Sequence, residues 1–524
     1  MTKNQAPLHW ADQMAARIIA QKGDKKEYTG ASGITPSGTI HIGNFREIIS
    51  TELVVRALRR LGKKVRFIYS WDDYDVFRKI PKNMPKQDLL NTFLRKPIVD
   101  TPDPYGKAES YAQHNQLEIE EALPKVGLCP EYIYQHKKYR KCDYSKQIIH
   151  ALKNTDKIKE ALNKYREEPL PDNWLPIMIF SKKFGTDKIK NILWDKKHTL
   201  TYELEDGTKE ECNINKDGNV KLLWRIDWPM RWSYEKVDFE PGGKDHSTVG
   251  GSYDTGKEIV KIFKWEAPVY YQYNFIRIKG KGGKISSSEG EVITLRDCLE
   301  IYEPEIIRFL FAGTRPNAEF AISFDLDVIK VYEDFDKCER IYYGEHKLSN
   351  NKELANQKRI YELSAINKHS KTMPFQPSFR HLTNILLQNE LDIDKTIGYY
   401  EKQLKNKNDK DRLRTRSVCA KNWIEKYAPE DFKFSVNKKV PANLNLSKEQ
   451  KAACRNLASV LLDKEWEDKE LHEECYIIMK NHNLEPKDFF SACYRVLISK
   501  DNGPKLAAFL IEIKERAVKL LESV

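Results

Sequence analysis

Three short segments carry residue types that could hold a nucleotide. The first, Pro36-Ser37-Gly38-Thr39-Ile40-His41-Ile42-Gly43-Asn44, stands where an apolar stretch hands over to a helical pattern. Proline and glycine supply turn chemistry there, and the N–H groups of a starting helix, at the positive end of its dipole, favour an anion. His41 can donate to a phosphate oxygen, although the segment by itself is equally an ordinary turn with a satisfied histidine. The second, Gly242-Gly243-Lys244-Asp245-His246, sets a carboxylate on a glycine-rich turn. That suits a ribose diol, and it also suits a plain β-turn with a capping Asp. The third runs from Lys279 to Ser288 (KGKGGKISSS), three lysines among glycines followed by three hydroxyls. It could close on polyphosphate or be a solvated loop.

The elements around these segments are legible. Glu27–Ile34 is expected to be a strand, and residues 42–61 a helix with Phe45, Ile48, Ile49, Glu52, Val55 and Leu58 at three- and four-residue steps and Gly62 as its stop. Val65–Trp71 is expected as a second buried strand, ending in Asp72, Asp73 and Asp75. Strand, helix and strand in this order begin a parallel, doubly wound sheet. Residues 120–222 read as an insertion of mixed structure, with hairpin-like turns at Glu205-Asp206-Gly207 and Asp217-Gly218-Asn219. A helix over 249–263 and a β-rich stretch over 268–278 then return to the sheet, and helices dominate from about residue 290.

A chain of 524 residues has room for three or four domains, each able to bury its own core. Charged residues reach 32% and the net charge is +12, which favours a polyanionic partner or reflects a generally Lys-rich surface. The nine cysteines are scattered, with no pair at CxxC spacing, against a disulfide framework or a four-cysteine zinc site. A reducing, cytoplasmic setting is therefore expected. The charged N-terminus is not expected to be a signal peptide, and no apolar run is long enough for a membrane span.

Taken together and in order, the segments resemble the class I aminoacyl-tRNA synthetases. His41-Ile42-Gly43-Asn44 corresponds to their HIGH signature and Lys284-Ile285-Ser286-Ser287-Ser288 to their KMSKS signature, about 240 residues apart. Asp227-Trp228-Pro229-Met230-Arg231-Trp232, the 242–246 turn and the KISSS form are similar to the class I lysyl-tRNA synthetases. The resemblance implies an α/β fold. Its parts are a Rossmann-like doubly wound parallel-sheet catalytic domain in two halves (1–120 and 223–290), an α+β insertion contacting the acceptor stem (121–222), a helical stem-contact junction (291–350) and an all-α anticodon-binding region (351–524).

It also implies activation of L-lysine by ATP with Mg²⁺, then transfer to the terminal adenosine of tRNA(Lys), at the 2′-hydroxyl by the habit of the class. His41 and Lys284 would be catalytic. Pro36, Gly38, His41, Gly43, Asn44, Gly243, Asp245, Ile278, Lys284, Ser286 and Ser287 would meet ATP, and Gly33, Thr35, Trp224, His246 and Tyr273 would meet lysine. A lysine side chain asks for an aromatic wall and a carboxylate. The wall could come from Trp224, Trp228, Trp232, Tyr253, Tyr270, Tyr271 and Tyr273, each equally a core residue. Asp73 is the expected carboxylate, its alternative being a solvated strand end or a helix cap. Asn44 replaces the second histidine of one signature, weakening a phosphate contact, and Ser287 the second lysine of the other, which throws the cationic role onto Lys284 with Lys279 or Lys281 as helpers.

Relatives that bind zinc in the insertion use paired cysteines; Cys212 has no pair, so no structural zinc is expected. Lys137, Lys138, Arg140 and Lys141 are candidates for the acceptor stem, and residues 402–416 with Trp423, Phe432 and Phe434 for the anticodon. A monomer without membrane attachment is expected. A class I synthetase for glutamate or arginine, and a catalytically silent tRNA-binding relative, are the alternatives.

Overall fold

The computed structural model describes residues 9–82, 84–279 and 292–524. Two compact units emerge. The first comprises residues 1–323 and 337–372, the second residues 324–336 and 373–524.

The first unit is built on five parallel strands: β1 (Glu27–Ile34), β2 (Lys64–Trp71), β3 (Glu131–Tyr134), β4 (Phe239–Gly243) and β5 (Val269–Tyr273), in the order β5-β4-β1-β2-β3. β1 and β2 fall where the sequence puts them, because each is an apolar run closed by turn residues. β1 lies centrally, between strands from the two halves of the chain, at the switch in strand order where open α/β sheets bind ligands. Helix α1 (Ile42–Arg60) connects β1 to β2 and is buried on most faces; even Arg46 and Glu52 are covered. Arg308 spends its buried guanidinium on Glu52 Oε2 (2.7 Å) and on the carbonyls of Val126 and Leu363, tying α1 to its neighbours. Helix α2 (Tyr111–Glu120) leans on the β1–α1 turn, Tyr111 donating to Ser37 O at 3.1 Å.

The insertion's apolar core, which contains Cys212, is continuous with Tyr74 and Val76 before it and with Ile226, Met230 and Ile259 after it. Burial pushes that thiol up to about 12. The turn at Glu205–Gly207 does join antiparallel strands, Thr199–Leu204 and Lys209–Asn213. The turn at Asp217–Asn219 differs from expectation. The strand after it, Val220–Leu222, pairs with Ile177–Ile179 rather than folding back on its predecessor. The stretch 268–278 likewise divides, its last residues Ile276–Ile278 leaving the main sheet to pair with Phe320–Ile322.

Helix α3 (Trp224–Tyr234) follows the insertion and carries Asp227 and Arg231 four residues apart, on one face. They join the ends of three segments in a buried charge network. Arg231 Nη1 meets Asp72 at 2.6 Å beyond β2, and its Nε lies 3.4 Å from Asp227. Lys221, on the returning strand, lies 3.3 Å from Asp227 and 3.0 Å from Asp75. Burial drives the Asp227 carboxyl up, but Lys221 and Arg231 outweigh it and hold the group below its ordinary range. Asp72, with burial the largest influence and Arg231 offsetting it, is pushed up to about 6.

The second unit is helical. Helices Lys448–Asp463, Asp468–Asn481, Pro486–Ile498, Leu506–Glu512 and Lys514–Glu522 enclose one apolar core. Trp423 is fully buried and donates to Phe324 O at 2.9 Å, so its ring is structural and not open to a base. Arg416, at the end of the basic 402–416 stretch, is also buried, paired with Asp336 at 2.9 Å.

Asp227→Ala would strand Lys221 and Arg231 without their shared carboxylate. We expect it to lower stability by about 3–5 kcal/mol, against under 1 kcal/mol for the exposed pair partner in Glu266→Ala, both read by denaturant unfolding.

Candidate active-site cleft

A cleft of about 720 Å³ opens in the first unit at the C-terminal ends of the strands. Its lining joins residues far apart in sequence: Gly33, Thr35, Gly38 and Asn44 from the first segment, Trp224 and His246 from the second half, and Tyr273 from the end of β5.

The first segment is held by a reciprocal cap. His41 precedes α1 with its Nδ1 accepting from Asn44 N (3.2 Å), while Asn44 Oδ1 accepts from His41 N (3.1 Å). An imidazole nitrogen that accepts an N–H carries no proton, so in this cap the neutral ring bears its hydrogen on Nε2. A Cβ on residue 43 would sit 2.8 Å from the His41 ring, which is why glycine stands there. The asparagine in place of the second histidine therefore locks the first one. The cap has a consequence for the backbone donors: Asn44 N is taken by His41, and Ile42 N donates to Ile293 O at 2.8 Å.

Glu47, one turn further along α1, is the carboxylate that the sequence reading missed. Its Oε1 accepts from Gly33 N (3.0 Å) and Ser32 Oγ (2.9 Å), and its Oε2 accepts from Tyr273 O–H (2.6 Å). Burial raises the Glu47 carboxyl above its ordinary value, and these three donors only partly offset that. A single Glu among helical apolar residues gives no signal of this. The hint lay in its neighbours: Arg46 and Glu52 sit in the same apolar pattern, and the helix buries both.

Asp73 does not serve the cleft. It is fully buried and accepts from His136 N (2.8 Å), His136 Nδ1 (2.5 Å) and Gln116 Nε2 (3.1 Å). Its neighbours Asp72 and Asp75 line the cleft instead, beside Lys221. Thr35 Oγ1 donates to Asp75 Oδ2 at 3.0 Å.

The aromatic wall is narrower than expected and better braced. Trp224, Trp228 and Trp232 fall at four-residue steps on α3, the first two stacked at 5.4 Å and 13°. Only Trp224 lines the cleft. The other two donate their indole N–H groups to Glu240 on β4, Trp228 at 3.1 Å and Trp232 at 2.5 Å. Buried there, Glu240 is pushed up to about 7. Tyr253, Tyr270 and Tyr271 line a separate depression beside β5. Tyr270 explains Gly242, since any Cβ there would fall 2.1 Å from its hydroxyl oxygen.

The remaining expected residues lie beside the cleft or outside the described ones. Gly243 ends β4, and its carbonyl accepts from Ser247 Oγ at 3.0 Å. Asp245 is exposed on the short turn of Lys244–His246. Pro36, whose carbonyl accepts from Asn115 Nδ2 at 3.4 Å, is in the β1–α1 turn. Ile278 is buried in its pairing with Ile322. Lys281, Lys284, Ser286 and Ser287 lie outside the described residues. Of the acceptor-stem candidates, Arg140 is paired with Asp100 (2.6 Å) and Lys138 lies 3.5 Å from Asp143.

A family model described as tRNA synthetases class I (K) matches residues 8–367. The chain is 52% identical over 507 residues to a lysine–tRNA ligase of Borreliella burgdorferi, covering 96% of each. It is 46% identical to one of Treponema pallidum, over 99% of this chain and 98% of that one. With one of Thermococcus kodakarensis it shares 43% identity over 98% of each chain. The chain belongs to the class I (K) tRNA synthetase family.

Proposed function

We propose that the chain is a lysine–tRNA ligase. It joins L-lysine to ATP as lysyl-adenylate, releasing diphosphate, and passes the lysyl group to the terminal adenosine of tRNA(Lys), releasing AMP. The observation that carries the substrate is Glu47, a carboxylate held by Gly33, Ser32 and Tyr273 at the wall of a cleft that also presents Trp224. A carboxylate beside an indole face answers an ammonium on a long apolar stem. Glu47 and Tyr273 take the charged end, Trp224 and His246 flank the stem, and Gly33 and Thr35 form the floor. Arginine is also a cation, but the full-length relatives named for lysine support the smaller ammonium.

In the first step a lysine carboxylate oxygen attacks the α-phosphorus and the bond to the leaving diphosphate breaks. Charge spreads over the phosphate oxygens, so the protein acts by positioning donors and cations. His41 Nε2–H and the Gly43 N–H are the donors we assign on the α1 side. Asn44 acts chiefly through the cap. By family resemblance Lys284, Ser286 and Ser287 meet the polyphosphate, Gly243 and Asp245 the ribose, and Pro36, Gly38 and the backbone at Ile278 the nucleotide's remaining surroundings. Among the described residues no three His, Cys, Asp or Glu side chains are grouped to hold a metal. Mg²⁺ would arrive on the ATP phosphates, neutralising part of their charge. In the second step a ribose hydroxyl oxygen of the tRNA attacks the lysyl carbonyl, and AMP leaves.

ATP–diphosphate exchange with each of the twenty amino acids, with and without tRNA, tests the reading; exchange with lysine is expected, and exchange with only another amino acid would overturn the substrate. Glu47 also sets a pH dependence. Only its ionised form pairs with the ammonium, so lysine binding should tighten as pH rises through the raised Glu47 value and then level off. In Glu47→Gln that part of the profile should vanish and the KM for lysine rise about tenfold or more, with the KM for ATP little changed.

A further inference from the structure

The loop after β2 carries two cations that the scheme above leaves without a task. Arg78 and Lys79 are exposed, and both line the rim of the cleft. Among the described residues neither is in an ion pair, and the nearby carboxylates are already committed. Asp75 meets Lys221 at 3.0 Å, Asp72 meets Arg231 at 2.6 Å, and Asp187, which feels the Arg78 charge, meets Arg95 at 2.5 Å.

The loop is held firmly. Val76 bridges Pro97, Phe77 N donates to Lys96 O at 2.7 Å, and Arg95 N donates to Phe77 O at 2.8 Å. Phe77 is buried, with its ring 5.1 Å from that of Tyr111, whose hydroxyl holds the β1–α1 turn through Ser37. The backbone that carries the two charges is thus tied, through Phe77 and Tyr111, to the turn at Ser37. Unpaired cations on a braced backbone at the mouth of a cleft are a site for an anion.

Strand order decides which anion. Among the described residues, those assigned to ATP in the loops of the main sheet follow β1 or β4, on one side of β2. Arg78 and Lys79 follow β2, on the other side, toward β3 and the insertion. A reaction that esterifies a terminal ribose must bring a second chain of phosphates to the same cleft. We propose that Arg78 and Lys79 form the rim that grips the sugar–phosphate backbone of the tRNA 3′ strand, guiding its last ribose to the lysyl carbonyl. This rests on the ligase reading and adds the entry side for the nucleic acid.

The test uses the full chain and the double variant Arg78→Ala/Lys79→Ala, with binding of intact tRNA(Lys) and of the same tRNA shortened by its last three nucleotides. Binding is followed across a salt series without ATP. We expect the variant to bind intact tRNA about tenfold more weakly, with a salt slope smaller by about 1.4, and to match the unmodified chain on shortened tRNA. Equal loss on both tRNAs, or no loss on either, would overturn the proposal. So would a raised KM for ATP with tRNA binding unchanged, which would give the cations to the polyphosphate. Lysine charging by the unmodified chain is measured alongside. If it charged no lysine while the 3′-dependent loss persisted, the ligase reading would fall and the rim would stand.

Discussion

Asp227 sits where three segments meet, and its pairing with Lys221 and Arg231 decides how they meet. Lys221 ends the insertion, Arg231 lies one turn beyond Asp227 on α3, and the two cations reach Asp75 and Asp72 at the end of β2. Four of these five charges are buried, with Asp75 partly exposed, and they are stable only when each has an opposite neighbour close by, since a single unpaired buried charge costs several kcal/mol. Three carboxylates against two cations leave one negative charge in excess. That excess lies under a cleft whose wall also carries Glu47, and it suits a cationic amino acid. The same contacts that close the fold thus set the sign of the site.

A second constraint is aromatic. Glu240 accepts from two indoles of the α3 ladder and leaves the third, Trp224, as the wall. Stacking of Trp224 on Trp228 carries that order to the surface of the cleft. Gly242 and Gly43 serve the same end by absence, one making room for Tyr270 and the other for His41. Trp224 is thus braced from behind by Trp228, Trp232 and Glu240, which lie outside the cleft lining.

Much of this was legible in the sequence. β1, β2 and α1 follow from period and turn residues, and the 36–44 segment falls at the helix start as read. What local pattern could not decide was which of several like residues faces inward. Asp72, Asp73 and Asp75 stand within four positions, and the chain's path beyond Trp71 turns Asp73 into the core and the others to the cleft. Seven aromatics qualified for the wall, and only Trp224 and Tyr273 reach it. Glu47 escaped because a carboxylate in a helix normally marks a solvated face, whereas α1 is packed nearly all round. The lysyl-type segment 227–232 has its physical reason in the Asp227–Arg231 pair and in the spacing of Trp228 and Trp232.

The central claim is that Glu47 reads the side-chain ammonium of lysine. It is tested most directly by calorimetry with lysine and norleucine, which lacks only the ammonium group, on the unmodified chain and on Glu47→Gln in the presence of tRNA. Lysine should bind the unmodified chain at least a hundredfold more tightly than norleucine, and most of that preference should be gone in the variant. An undiminished preference for lysine in Glu47→Gln would show that another group reads the ammonium.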